Sequence, residues 1–256
     1  MKIIRNIIVA FSLYSRIPMP QFAWKEDDMK YTIGFLPLTG LVIGACEYGA
    51  MHVCYRLNWP LIVRVAIWML IPILITGGFH LDGFMDVMDA MKSYKSPAEK
   101  LEILKDPHIG AFSVISLAEY GLIYVISSAL VLTDAPDYAN ILIAAAGFFF
   151  IRAVAAILSI KCKHAKASGM LHEETKSSDT VTFIMALVQA IIGLGVIGLV
   201  NICVALIIML AVAIYTALFI RKSYKEFGGV TGDMIGCYIT ITELVVMICV
   251  AVCTIV

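Results

Sequence analysis

Residues 180–220 read TVTFIMALVQAIIGLGVIGLVNICVALIIMLAVAIYTALFI, 41 positions without one charged side chain. A helix needs roughly 20 apolar residues to cross ~30 Å of hydrocarbon, so this run is too long for one crossing and the right length for two. Asn201 stands near its middle and marks a tight hairpin. Divided there, the run gives spans over Asp179–Val200 and Ile202–Ile220. Working outward, comparable apolar stretches cover approximately Tyr31–Tyr55, Trp59–Gly78, Gly110–Thr133, Tyr138–Ile160 and Met234–Val256. The expected fold is all-α: a polytopic integral membrane bundle of about seven transmembrane helices.

Composition agrees. Of 256 residues, 61% are apolar and 15% are Asp, Glu, Lys or Arg, where soluble domains carry about 25% charged residues. The mean hydropathy is +0.92. A soluble globule, a disordered chain and a secreted disulfide scaffold are all excluded. The net charge is zero, so composition implies no nucleic-acid partner. The seven cysteines form no CxxC pair, and they read as small buried hydrophobes that report no redox compartment. Lys2 and Arg5 precede the short apolar run Ile7–Leu13, but no small-residue cleavage site follows. An interfacial helix fits better than a cleaved signal.

Basic residues are placed unevenly. The N-terminal segment 1–30, and the connections 79–109, 161–178 and 221–233, hold 16 of the 19 Lys and Arg residues. By the positive-inside rule these segments are cytoplasmic, the N-terminus among them. They are also the long connections, so chemistry is expected at the cytoplasmic end of one membrane-embedded domain covering 1–256. No internal repeat divides the chain.

The most informative of these segments runs Gly77-Gly78-Phe79-His80-Leu81-Asp82-Gly83-Phe84-Met85-Asp86-Val87-Met88-Asp89. Its aspartates stand at i, i+4 and i+7, within about 60° of one helical face. Three like charges on one face repel each other, and the residues between them are mostly apolar. A solvated acidic helix end is the bland reading. A stripe facing a cavity and holding Mg²⁺ or Mn²⁺ through oxygen ligands is the better one. Ser96, Pro97 and Glu99 spell a capped short helix, whose Glu99, Lys100 and Glu102 form its wet face. Lys105 and Asp106 place a cation and an acid at its end. Gly228-Gly229-Val230-Thr231-Gly232-Asp233 permits close backbone approach to a phosphate, and Asp233 is a plausible N-cap. Glu243, about 15 Å deeper along the same helix, should face the bundle interior. Arg152 in the fourth span reads as a phosphate or nucleotide ligand, and Glu47 and Glu119 as structural partners or cavity liners.

These residues carry a resemblance. Gly77–Asp89 resembles the G-G-x-H-x-D-G-x-x-D-x-x-D signature of the adenosylcobinamide-GDP ribazoletransferases, also called cobalamin-5′-phosphate synthases. Arg16-Ile17-Pro18-Met19-Pro20, Leu101–Ala111, Arg152, Lys166-x-x-Gly169 and Gly229–Gly236 with Glu243 resemble other elements of that family, in order and over nearly the whole chain. Ala90, His108, Lys166 and Thr240 stand where the family usually has Gly, Arg, Arg and Glu.

The resemblance implies a Mg²⁺-dependent phosphotransferase of the cytoplasmic membrane, with Mn²⁺ as a substitute ion, acting late in cobalamin biosynthesis. A hydroxyl of α-ribazole or its 5′-phosphate attacks the cobinamide-side phosphorus of adenosylcobinamide-GDP. GMP leaves, and adenosylcobalamin or its 5′-phosphate forms. The expected metal ligands are Asp82, Asp86, Asp89 and Asp233. Asp106 joins these four as a candidate catalytic acid, and Asp89 is the expected proton acceptor. Substrate contacts are expected from His80, Lys105, Arg152, Lys166, Gly229, Thr231, Gly232 and Glu243. The partners implied are the two substrates and the lipid bilayer, with homo-oligomerisation left open.

Three rivals are weighed. A CDP-alcohol phosphotransferase of phospholipid synthesis carries D-x-x-D-G-x-x-A-R, but Phe79 stands three residues before Asp82 and no Ala-Arg follows. An ion-coupled transporter would place its acids at the midplane between repeated halves. An anchoring subunit would have no use for the acid stripe.

Overall fold

The computed structural model describes residues 2–29, 31–165, 171, 175 and 180–255; the side chains at positions 2, 26 and 27 are outside that description. Among the described residues regular structure is helical, apart from an isolated bridge between His164 and Val230. The helices in order are α1 Lys2–Tyr14, α2 Glu26–Met29, α3 Thr32–Arg56, α4 Leu61–Thr76, α5 Phe79–Lys92, α6 Pro97–Ile103, α7 Ala111–Val131, α8 Tyr138–Lys161, α9 Thr180–Val200, α10 Ile202–Phe227 and α11 Gly232–Ile255. Six of them (α3, α7, α8, α9, α10 and α11) are long and apolar enough to cross a membrane, and α4 with its continuation makes up to seven. The polytopic helical bundle is as the apolar runs predict. The hairpin falls at Asn201, whose side-chain oxygen caps α10 by accepting from the Cys203 and Val204 N–H groups at 3.0 and 3.2 Å.

One boundary differs. α10 continues through Arg221, Lys222 and Lys225 to Phe227, so most of the expected 221–233 connection is helix. Charge ends the apolar run but does not end a helix, and no breaker occurs before Gly228. Gly228 then takes φ 77° and donates its N–H to the Tyr224 carbonyl at 3.1 Å, a left-handed cap suited to glycine.

α8 and α11 are the most buried spans. α3 lies against α8 through Gly40 and Gly44, where a Cβ would collide with the carbonyls of Phe148 and Ala145. Gly193 of α9 meets Phe150 from the other side; a Cβ there would be 3.0 Å from the Phe150 Cα. In lipid no hydrophobic force draws helices together, and small residues permit the close backbone contact that does.

The two ends of the bundle are closed differently. At one end Arg64 pairs with Asp134 at 2.8 Å, Tyr55 Oη donates to Thr133 O at 2.9 Å, and Asn140 Nδ2 donates to Thr254 Oγ1 at 3.1 Å. At the other end α1, with 13 residues, is too short to cross. It is held by Arg5, whose Nε and Nη2 donate to the two Asp28 carboxylate oxygens at 2.8 and 2.7 Å. Arg5 keeps the Asp28 carboxyl well below the usual carboxylate range. Ser96 and Glu99 form the expected capping box on α6. Lys100, expected on the wet face, is instead buried and paired with Glu226. This pair fastens α6 to the end of α10, so its carboxylate partner explains why the lysine is tolerated inside.

α4 and α5 meet at 93°. Gly77 and Gly78 make this elbow with φ of 69° and 79°, a left-handed pair that any other residue would adopt at a cost. α5 is thereby turned out of the line of α4 and laid across the end of the bundle.

Replacing Gly40 by Leu is expected to force α3 off α8 and to destabilise the detergent-solubilised protein by at least about 1–3 kcal/mol. A fall in its apparent melting temperature, absent for the same change at the open Gly49, checks this.

Candidate active site

α5 carries the acid stripe. Asp82 is exposed, and Asp86 and Asp89 are partly buried. The opposite side, His80, Gly83, Phe84, Val87 and Ala90, is buried. The helix is thus amphipathic as its spacing predicts, with carboxylates outward and the apolar residues against the bundle.

Two glycines fix what surrounds the stripe. At Gly83 a Cβ would lie 2.7 Å from the Asp233 carbonyl oxygen and 2.9 Å from its Cα. Gly83 therefore lets the start of α11 press on α5 and brings Asp233 to the stripe. Gly110, just before α7, leaves room for the Asp89 carboxylate, which a Cβ would strike. Sequence reasoning passed over both. A glycine inside an otherwise good helix, such as Gly83, is the available signal for a close backbone approach.

Asp82, Asp89 and Asp233 are close enough to Asp86 for their charges to act on it. Burial, and then the charges of Asp82, Asp233 and Asp89, push the Asp86 carboxyl up to about 6. Among the described residues no cation pairs with Asp82, Asp86 or Asp89 at ion-pair distance. Nor do three acidic, His or Cys side chains among them converge into a cage for one ion. The donor set is all carboxylate oxygen. That chemistry fits a hard cation such as Mg²⁺, which keeps several waters and shares phosphate oxygens rather than filling a closed protein cage.

The other expected residues divide into groups. Lys105 is exposed and pairs with Glu102 at 2.7 Å. Asp106 accepts from the His108 backbone N–H at 3.0 Å and lies 2.6 Å from His108 Nδ1, contacts that lower its pKa. Both stand between α6 and α7, on the connection that ends at Gly110 beside Asp89. Lys166 lies outside the described residues. The glycine-rich loop has local duties that differ from the expectation. Gly229 packs on the chain at 163–165, where a Cβ would come within 2.5 Å of the Lys163 carbonyl. Val230 N–H donates to Lys163 O at 2.8 Å and Ala165 N–H to Val230 O at 2.9 Å. Thr231, not Asp233, caps α11: its Oγ1 accepts from the Met234 N–H at 3.3 Å. Asp233 sits in the first turn, where a carboxylate complements the helix dipole. Gly232 faces open space.

Arg152 and Glu243 are deeper. They are buried and 2.7 Å apart, so the arginine's charge is answered inside the bundle and not at the stripe. His80 is buried beside them, its carbonyl accepting from Thr240 Oγ1 at 3.1 Å. Glu47 is fully buried with neither carboxylate oxygen hydrogen-bonded. Glu119 is exposed and pairs with Lys92 at 3.5 Å. Arg16 donates its backbone N–H to Ile75 O at 2.7 Å, and its side chain lies along Gly77. The segment after α1 is thus docked on the elbow that precedes the stripe.

The fold and the site define a class: an integral membrane helical bundle with a carboxylate cluster exposed across one end. The chain belongs to the cobalamin-5-phosphate synthase family, whose sequence model matches residues 6–251. It is similar to the adenosylcobinamide-GDP ribazoletransferase of Lachnoclostridium phytofermentans, with 35% identity over 95% of this chain and 92% of the relative. Proteins of the same name from Clostridium botulinum strain Alaska E43 (32%, covering 94% of each chain) and Clostridium perfringens strain ATCC 13124 (29%, 93% of this chain and 94% of the relative) are also similar. No solved structure matches.

The raised Asp86 pKa has a definite sign. A carboxyl that holds its proton more tightly when folded adds stability below its unfolded pKa of ~3.9, and that contribution disappears as pH rises through about 6. The metal-free protein should therefore lose apparent melting temperature between about pH 4 and pH 6, and Asp86→Asn should flatten that dependence. Millimolar Mg²⁺ should raise the melting temperature more at pH 7.5 than at pH 5, where protons compete for the carboxylates. Gly110→Ala, which displaces the Asp89 carboxylate, should weaken the Mg²⁺ response.

Proposed function

We propose that the chain is an adenosylcobinamide-GDP ribazoletransferase of cobalamin biosynthesis, working as one membrane-embedded unit. The observation that carries this reading is the acid stripe of α5 meeting Asp233 at the end of the bundle, in a chain of this family. Mg²⁺ would be held by Asp82, Asp86, Asp89 and Asp233, with Mn²⁺ as a substitute, and would neutralise the charge on the pyrophosphate. The hydroxyl of α-ribazole or its 5′-phosphate forms the new O–P bond, the bond from that phosphorus to GMP breaks, and GMP carries away the electron pair. The hydroxyl proton goes to a carboxylate of the cluster. Asp89 is the best placed to take it, half-buried beside Gly110.

Phosphoryl transfer depends on alignment and charge neutralisation more than on covalent help. Lys105 stands on the connection next to Asp89, and it and Lys166 would offset phosphate charge. Gly232, open and next to Asp233, leaves room for a phosphate to approach the first turn of α11. Asp106 borders the same connection as a supporting acid. The distribution of 16 of 19 basic residues supports a cytoplasmic N-terminus and an active site on the cytoplasmic face of the cell membrane.

Purified protein in detergent is expected to release GMP from adenosylcobinamide-GDP when α-ribazole and Mg²⁺ are supplied, and to stop on chelation. Asp82→Asn, Asp86→Asn and Asp233→Asn should each lower turnover by about 100-fold or more while the protein still accumulates, since each removes several kcal/mol of charge stabilisation. Turnover within a few-fold of wild type in all three would remove the site assignment. Lipid product from CDP-alcohol substrates would replace the reading with a phospholipid synthase.

A further inference from the structure

The proposed transfer reaction uses the outer side of α5 and leaves the inner side of its first turn without a task. At 100° per residue, His80 points about 160° from Asp82. In the turn Phe79–Asp82, His80 is the buried side chain, at 6% exposure. Its backbone is fixed by α11. The His80 carbonyl accepts from Thr240 Oγ1 at 3.1 Å, and a Cβ on Gly236 would lie 3.3 Å from the His80 Cα. The ring is not held in this way: neither Nδ1 nor Nε2 has a hydrogen-bond partner among the described residues.

Two neighbouring atoms share this condition. Arg152 Nη1 lies 2.7 Å from Glu243 Oε1, but its hydrogen bond goes to Phe148 O at 3.1 Å, and Arg152 Nε and Glu243 Oε1 are left without one. All three residues line one cavity between α4, α5, α7, α8 and α11, within which the centre of a water-sized sphere ranges over about 50 Å³. One water takes roughly 10–15 Å³ by this measure, so the cavity has room for about four. The walls select water. The imidazole offers one donor and one acceptor, Arg152 Nε is a donor and Glu243 Oε1 an acceptor. Leaving such groups unanswered inside a protein is costly. Water donates and accepts, so a small cluster can meet all four atoms at once. An acyl chain would meet none of them. Gly78 borders the cavity, and nothing lies within 4 Å of where its side chain would stand, so water can exchange at the α4–α5 elbow.

We propose that an ordered water cluster fills this cavity and ties the His80 imidazole to Arg152 and Glu243, making His80 a positioning residue for the acid stripe. Burial of Phe84, Val87 and Ala90 holds α5 down, but apolar burial is non-directional. Hydrogen bonds are directional. Made from the inner side of the first turn, they fix how that turn is rotated and hence where Asp82 points. The assignment rests on the stripe being the metal site proposed above. It deepens that reading by naming what sets the angle of its first carboxylate.

Brief X-ray radiolysis of the full-length protein in detergent tests the cluster without turnover, because hydroxyl radicals formed from bound water label the side chains beside it. Tyr124 is 4% exposed and lines the cavity; Tyr238 is 0% exposed and does not. Tyr124 should be labelled several-fold faster than Tyr238, and His80→Leu should abolish the difference. The same variant should need about tenfold more Mg²⁺ for half of its melting-temperature response. In GMP release its kcat should fall by about tenfold or more, with the KM for α-ribazole within about twofold of wild type. His80→Gln, which keeps a donor and an acceptor, should restore most of the labelling and of the Mg²⁺ response. Tyr124 labelled no faster than Tyr238 in the wild-type protein would overturn the proposal. So would an unchanged Mg²⁺ response in His80→Leu. The expected labelling and Mg²⁺ shift in a protein that releases no GMP would support the positioning role and remove the transfer reaction.

Discussion

Everything at the functional end depends on like charges being held together against their repulsion. Four carboxylates share one surface because α5 and α11 touch backbone to backbone at Gly83, a contact that any side chain there would prevent. The apolar side of α5, with Phe84, Val87 and Ala90 buried, supplies the attraction that keeps the helix down. The acids alone would drive it away. The raised Asp86 pKa is the electrostatic signature of that balance. Among the described residues no cation stands at ion-pair distance from Asp82, Asp86 or Asp89, so the stripe on α5 keeps its charge.

The elbow is the second half of the same design. If α4 continued straight into α5, the stripe would run on along the axis of α4. The two left-handed glycines turn the chain by 93°, so the carboxylates lie across the end of the bundle. Arg16 against Gly77, Lys100 against Glu226 and Val230 against the chain at 163–165 then close this end from three directions. Among the described residues the opposite end is tied by contacts between turns and helix termini. The asymmetry of connection length along the chain is therefore an asymmetry of construction: the long segments fold at the end that carries the carboxylates.

Most of the fold was legible because lipid imposes a simple rule on sequence. Uncharged runs of the right length become spans, and Asn201 inside the longest one becomes the hairpin. What was not legible depended on contacts between distant segments. Lys100 looks wet from its own helix, because Glu226 is 126 residues away. Gly229 looks like a phosphate cradle until the chain at 163–165 is seen lying on it. Asp233 looks like a cap until Thr231 is found to do that work. The acid stripe was visible from its spacing alone, since i, i+4 and i+7 have one geometric meaning on a helix. Its partner Asp233 could be joined to it only through the family resemblance, because nothing local marks Gly83 as the place where α11 arrives.

The buried Arg152–Glu243 pair decides how labour is divided inside the bundle. An isolated charge at that depth is far more costly than a paired one, so Arg152 cannot leave Glu243 to meet a phosphate unless another cation replaces it. On the proposed reading the negative charge of a pyrophosphate would then be met at the exposed end, by whatever cation the four carboxylates attract.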